Sequence, residues 1–188
     1  MKFELEKGTL GYIKKKKKRH AGMVLLLLLI GAIIMITGLI INKFDKANIC
    51  TVLSILMVLP ATKNLVLLIV VFPYKSVTKE RYDKIASLVN DNTILMTDMV
   101  ITSPEEVMNL DFVVITDNQV LGLIGKKKQK EDVVEKYIEE TLKANKLDGF
   151  TVKVFREEEK FISCIPNREF ECTSAMEECY KLIRTLIV

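Results

Sequence analysis

The sequence predicts a membrane α-helical hairpin joined to a cytosolic α+β domain with the element order α-β-β-β-α-β-β-α. Three observations carry this expectation. Ala21–Ile41 is a run of 21 residues without a charge. A second apolar region follows it, from Ala47 to Pro73. Residues 75–188 then alternate between helical and strand periodicity, with turn signals between the runs. Charge divides the chain at the same place. The 188 residues carry 28 Lys and Arg against 24 Asp and Glu, a net charge of +4. Residues 1–74 hold 11 basic and 3 acidic groups, whereas residues 75–188 hold 17 and 21. With 49% hydrophobic residues, the chain is excluded from the disordered and collagen-like classes.

The sequence divides into a basic cytosolic N-terminal segment over 1–20, a two-span hairpin over 21–74 and an α+β domain over 75–188. A helix over Ala21–Ile41 is ~31 Å long, close to the ~30 Å of bilayer hydrocarbon. The run exceeds the ~7–15 apolar residues of a signal peptide and has no small-residue cleavage site after it. The second region is interrupted by Pro60, Lys63 and Asn64. A single helix kinked at Pro60 is expected there, with a re-entrant pair of half-helices as the alternative. Gly31 and Gly38 on the first span, and Ala47, Ser54 and Ala61 on the second, are spaced by seven. Such small residues let helices approach closely, within one chain or in a homo-oligomer.

Lys14, Lys15, Lys16, Lys17, Lys18 and Arg19 form an unbroken cationic run before the first span. With Lys75, Lys79, Arg81 and Lys84 after the second, they predict a two-pass protein of the cell membrane with both termini in the cytosol. The run also fits binding to anionic lipid or to a protein partner. Nucleic acid is a poor fit, because no aromatic residues interleave with the lysines. Lys63 falls in the second apolar region, ~16 Å from Tyr74 by helix rise. It must snorkel, or meet a lipid phosphate, freed carbonyls near Pro60 or another chain.

In the domain, Ser76–Asn90 reads as a helix and Thr93–Thr102 as a strand. Ser103-Pro104-Glu105-Glu106 has the signature of a helix start. Asp111–Thr116 and Gln119–Gly125 read as a hairpin about Asp117-Asn118. Glu131–Lys146 is an amphipathic helix. Phe150–Phe155 and Lys160–Ile165 read as strands around the acidic turn Glu157–Glu159. Ser174–Ile187 closes the domain as a helix with capping-box spacing at Ser174 and Glu177. Asp98, inside an apolar strand, is expected at a sheet edge or accepting a backbone hydrogen bond.

No complete catalytic set is visible. The chain has one histidine, His20, beside the lysine run. The 4 cysteines lack zinc-site spacing, so no metal is expected. Cys172 and Cys179, seven apart, are expected on one helix face as core thiols. Gly122 and Gly125 do not form a phosphate loop, and no cofactor is expected.

The order helix–strand–strand–strand–helix–strand, with Asp111 before Phe112–Thr116 and Lys127 closing the next strand, resembles the restriction-endonuclease-like fold. The resemblance implies a metal held by the Asp and by the Glu of an E-x-K motif. Gly125 stands where that Glu belongs; Glu131 or Glu135 from the following helix would have to substitute. Asp111, Lys127 and Glu135 are therefore the candidate catalytic residues. The whole chain, with GTLGYIKKKKKR at its start and LPATK in the second span, resembles uncharacterised two-span membrane proteins of Gram-positive anaerobes. That resemblance implies architecture only. The expected function is a membrane-anchored, non-enzymatic protein whose cytosolic domain binds a protein partner. The alternative is a degenerate nuclease-like, metal-binding domain.

Overall fold

The structure, a computed structural model, describes residues 6–43, 45, 48–90, 92–104, 106–125, 129–166 and 171–188. The elements in chain order are α1 (Tyr12–Ile41), α2 (Ile49–Leu56), α3 (Val58–Val71), α4 (Lys79–Ala86), β1 (Ile94–Thr102), β2 (Val107–Ile115), β3 (Gln119–Ile124), α5 (Glu131–Ala144), β4 (Thr151–Phe155), α6 (Glu158–Cys164) and α7 (Ser174–Leu186). Two compact units result. Lys14–Pro73 forms one; the described residues up to Ile13 join Tyr74–Val188 in the other. The sequence boundary at residue 20 falls inside α1.

Two helices are long and apolar enough to cross a membrane. They are Tyr12–Ile41 and the 23-residue stretch Ile49–Val71. Asn48 starts the second, its side chain accepting the Thr51 amide at 2.9 Å. The helix is interrupted between α2 and α3 at Met57. Pro60 lacks the amide that would bond the Leu56 carbonyl, four residues back, and its ring crowds that carbonyl. Met57 itself keeps helical torsions, φ −66° and ψ −18°. The chain therefore continues as one interrupted helix and does not turn back as a re-entrant pair. Gly31 and Gly38 face the second helix. A Cβ at Gly31 would lie 3.5 Å from the Ser54 carbonyl oxygen, and one at Gly38 would overlap Cys50. Ser54 and Ala61 are buried on the opposing helix, as the spacing of small residues predicts. Ala47 lies outside the described residues.

The second unit is built on a four-stranded sheet in the order β1-β2-β3-β4. The pairs β1–β2 and β2–β3 are antiparallel, and β4 runs parallel to β3 after the α5 crossover. Met96, Leu110, Val113 and Val120 pack on one face with Val134, Ile138 and Leu142 of α5 and Cys179 and Ile183 of α7. Phe112, Val114, Leu121 and Leu123 pack on the other with Val77, Ile85 of α4 and Phe161 of α6. The expected α+β domain is thus a mixed sheet with helices on both faces.

Several expected elements differ. Lys160–Ile165 was expected as a strand, but Lys160–Cys164 belongs to helix α6, with Ile165 extended after it. The three glutamates read as a turn are its cap and first turn, where carboxylates complement the helix dipole, and Phe161 supplies its buried contact. Ser103–Glu106 does not start a helix. β1 and β2 stay paired up to Thr102 and Val107, so this segment only has room to close a hairpin. The Ser103 hydroxyl caps that turn, donating to the Glu106 carbonyl at 2.9 Å and accepting its amide at 3.1 Å. Strand β2 begins at Val107, so Asp111 sits within it and does not open it. The Asp117-Asn118 hairpin forms as expected, with the Thr116 amide donating to the Gln119 carbonyl at 2.9 Å.

Both sheet edges are partly covered. Along β1, the Thr97 amide donates to the Gly8 carbonyl at 2.9 Å, and the Val188 amide donates to the Val100 carbonyl at 2.9 Å. The Tyr12 hydroxyl donates to the Val188 carbonyl at 2.7 Å. Gly8 has φ +80°, and a Cβ there would stand 2.7 Å from Met96 Cε, so this close approach requires glycine. Along β4, Glu135 accepts the Val154 amide at 3.1 Å and Glu131 accepts the Arg156 amide at 2.9 Å. Carboxylates on these two amides blunt the β4 edge as a template for another strand.

Candidate functional site

Two irregularities in the sheet set the site. Met96 and then Met99 and Ile101 of β1 point to the same core, so side-chain alternation slips by one residue at Asp98. Leu110 and then Val113 and Ile115 of β2 share that core too, so the slip there falls beside Asp111. Thr97 pairs with Phe112 and Met99 with Leu110, and the β1–β2 register is continuous across the slip. The β2–β3 register shifts between Leu110 and Phe112, which makes Asp111 the extra residue of a bulge. Asp98 takes φ +55°, a left-handed conformation that Asp tolerates better than most residues.

Asp98 is 1% exposed, and its Oδ1 accepts the Val77 amide at 2.7 Å. The Ser76 side chain and the Gly11 and Ile13 amides also hydrogen-bond the carboxylate and favour its charge, but burial outweighs them and raises its pKa. Among the described residues, Asp98 Oδ2 has no hydrogen-bond partner. The residue thus behaves as an internal cap for the start of α1 and for the segment before α4. Both sequence expectations for it hold: it lies on an edge strand and accepts a backbone hydrogen bond.

Asp111 meets a different partner. Arg81 of α4 donates from Nη1 to Asp111 Oδ2 at 2.8 Å, and its Nε donates to Glu158 of α6 at 3.0 Å. Lys84 adds a bond to Glu158 at 2.9 Å. The Arg81 guanidinium lies 5.5 Å from the centre of the Phe112 ring. The hydrogen bond from Lys84, set against partial burial and joined by Arg81, holds the Glu158 carboxyl below its ordinary range. A Cβ at Gly125 would overlap Asp111 Oδ1 and Asn109 Oδ1. Asn109 is fixed in turn, donating to the Met99 carbonyl at 3.1 Å.

The sheet therefore brings Asp111 and Gly125 together, whereas Glu135 is engaged at the β4 edge and Asp98 is held beside Val77. Lys127 lies outside the described residues. Among the described residues, no group of three or more His, Cys, Asp and Glu side chains converges on a point. A divalent ion does not fit this donor set. The Asp111 carboxylate is neutralised by Arg81, and the neighbouring position supplies no second carboxylate. The sequence did not single out Arg81 or Glu158 as site residues. Arg81 was one of four cations after the second span that set orientation, and Glu158 lay in an acidic turn.

Cys172 and Cys179 do not share a helix face. Cys172 is exposed and precedes Thr173, the α7 cap, whereas Cys179 is buried inside α7. Burial pushes the Cys179 thiol up to about 12.

In the helical unit, His20 Nδ1 and Asn64 Oδ1 are hydrogen-bonded at 2.9 Å. Lys17 donates to the Phe72 carbonyl at 2.7 Å and stands 5.5 Å from that ring's centre. Lys14, Lys15, Lys18, Arg19 and Lys63 are exposed, and Lys16 is buried.

No protein-family model matches this chain, and neither a curated protein nor a solved structure proves similar to it.

Proposed function

We propose that the chain is a two-pass membrane protein whose helical pair anchors an α+β domain at the cytosolic face, and that the domain acts by binding a protein partner. The observation that carries the non-catalytic part is the closure of Asp111 by Arg81, beside a glycine. Three supports favour the anchor. Two helices have spanning length and hydropathy. The residues flanking the helical unit join one compact domain, which favours both ends on one side. The cationic run favours the cytosol. Affinity capture of the full chain from mild detergent tests the partner: a protein recovered by the wild type but lost after charge reversal on the domain supports it. Repeated recovery of nothing specific counts against it.

A second reading is a degenerate nuclease-like domain. It is favoured by the placement of Gly125 against Asp111 on neighbouring strands, where the motif would set its two carboxylates. Calorimetric titration of the full chain with Mg²⁺ or Mn²⁺, compared with Asp111→Ala, decides it. Identical heats retire this reading.

A further inference from the structure

We propose that Asp98 is a proton-operated latch: with its carboxyl protonated it holds residues 7–13 on the sheet, and loss of that proton to solvent lets the segment lift from the β1 edge. The latch lies within the domain and works whether or not the helical pair spans a membrane.

Residues 7–13 lie on the domain without joining its sheet as a strand. The segment is tied to the β1 main chain by the hydrogen bond from the Thr97 amide to the Gly8 carbonyl. Lys7 and Tyr12 tie it to the carbonyls of Ile187 and Val188. Asp98, the residue after Thr97, takes the amides of Gly11 and Ile13 at the far end. The same carboxylate accepts the Val77 amide at 2.7 Å. One side chain therefore grips the entry to α1 and the approach to α4 together.

Burial makes this grip depend on a proton. Asp98 is 1% exposed, and its Oδ2 has no hydrogen-bond partner among the described residues. Ionised in the closed form, the carboxylate keeps a charged oxygen away from water and from donors alike. Its hydrogen bonds favour the charge, but burial outweighs them. Lifting Gly11 and Ile13 returns the oxygen to water, so the open form ionises more readily than the closed one. The ionisable groups on the surrounding segments have other places. Lys7, Tyr12 and Tyr74 donate to the carbonyls of Ile187, Val188 and Val107, and Asp111 across the register is paired with Arg81. Glu6, Lys14, Lys75 and Lys79 are exposed. Lys16, one turn beyond Ile13 on α1, is a buried cation and enters the test. Opening should therefore increase by about tenfold per pH unit from the ordinary 3.8 up to the raised value, and level off above it.

The test is amide hydrogen exchange of the full chain in detergent, from pH 4 to 7, corrected for intrinsic rates and read on peptides by mass spectrometry. Protection of residues 7–13 should fall by about tenfold or more across that range. At every pH it should stay below the protection of α5, because the segment opens without the rest of the domain. Asp98→Asn keeps an acceptor for Val77 and has no proton to lose, so its protection should stay flat. Lys16→Gln should leave the wild-type fall in place. A flat wild-type profile, an equal fall in Asp98→Asn, or a fall abolished by Lys16→Gln overturns the latch. Equal protection of residues 7–13 and α5 also overturns it, since the proton would then act only on global unfolding.

Discussion

Asp98 and Asp111 fall opposite one another across β1 and β2, each where its strand loses step with the pleat, and their carboxylates leave for different partners. Asp98 serves backbone amides beside Val77, and Asp111 serves Arg81. Neither is available to the other, so an apparent acidic pair is two separate structural devices.

Stability should depend on pH through Asp98. Its folded pKa is raised above the ordinary 3.8, mainly by burial and against its hydrogen bonds, so the folded state holds the proton more tightly than the unfolded one. This stabilising term is complete below the ordinary value and is lost as pH rises through the raised one. Asp98→Asn keeps an acceptor for Val77 and cannot ionise. Relative to wild type, it should gain in thermal midpoint as pH rises from 4 to about 7. Asp98→Ala should lose about 1–3 kcal/mol at pH 4, because the amides lose their acceptor, and the deficit should narrow as pH rises. Both comparisons are made on the detergent-solubilised chain.

Removing Arg81 should cost more than a surface ion pair. Arg81→Ala strands Asp111, whose side chain is 13% exposed. A loss of about 1–2 kcal/mol is expected, reduced from a fully buried case by solvent at the guanidinium. Adding Asp111→Asn to that variant should restore part of it, and a double-mutant cycle in denaturant measures the coupling. Strict additivity would show that the two side chains do not interact.

Gly125 should not tolerate a side chain. Gly125→Ala places a methyl group against Asp111 and Asn109, both already held by hydrogen bonds. A loss of about 1–3 kcal/mol is expected. If Asn109→Ala in the same chain relieves it, overlap is the cause; an unchanged loss would point to the backbone.

The candidate Glu135 should behave as an edge guard. Glu135→Gln preserves the acceptor for Val154 and should be close to neutral. Glu135→Ala should lose about 1 kcal/mol and increase self-association in size-exclusion runs, through the uncovered β4 edge.

The cysteines offer a test of packing without mutation. Iodoacetamide at pH 8 should modify exposed Cys172 within minutes and spare Cys179, whose thiol is pushed up to about 12. Peptide mass spectrometry reads both, and rapid labelling of Cys179 would contradict the packing of α7.

Long periodic segments were legible in the sequence because their pattern is local. The two long apolar helices, α5, α7 and the Asp117-Asn118 hairpin all follow from it. Asp98 also stood out, as a charge in an apolar strand. What failed depended on distant partners. The helix-start signature at Ser103–Glu106 hides the strand that follows it until β1 pairs with Val107 onward, which moves Asp111 from a strand's start to its middle. The helix α6 shares its alternation with a strand, and only the covered edge of β4 leaves it nothing to pair with. The site itself was least visible, since Arg81 lies 30 residues from Asp111 and 77 from Glu158.

The seal on β1 gives the chain an order of assembly. Gly8 is synthesised before the helical pair and Thr97 after it, so their hydrogen bond cannot form until the whole of Lys14–Pro73 has left the ribosome. Topologically, the helical pair is an insertion into a loop of the domain. Until both helices of the pair have been made, the β1 edge stays open, and its closure waits on the last residues of the chain as well as on its first.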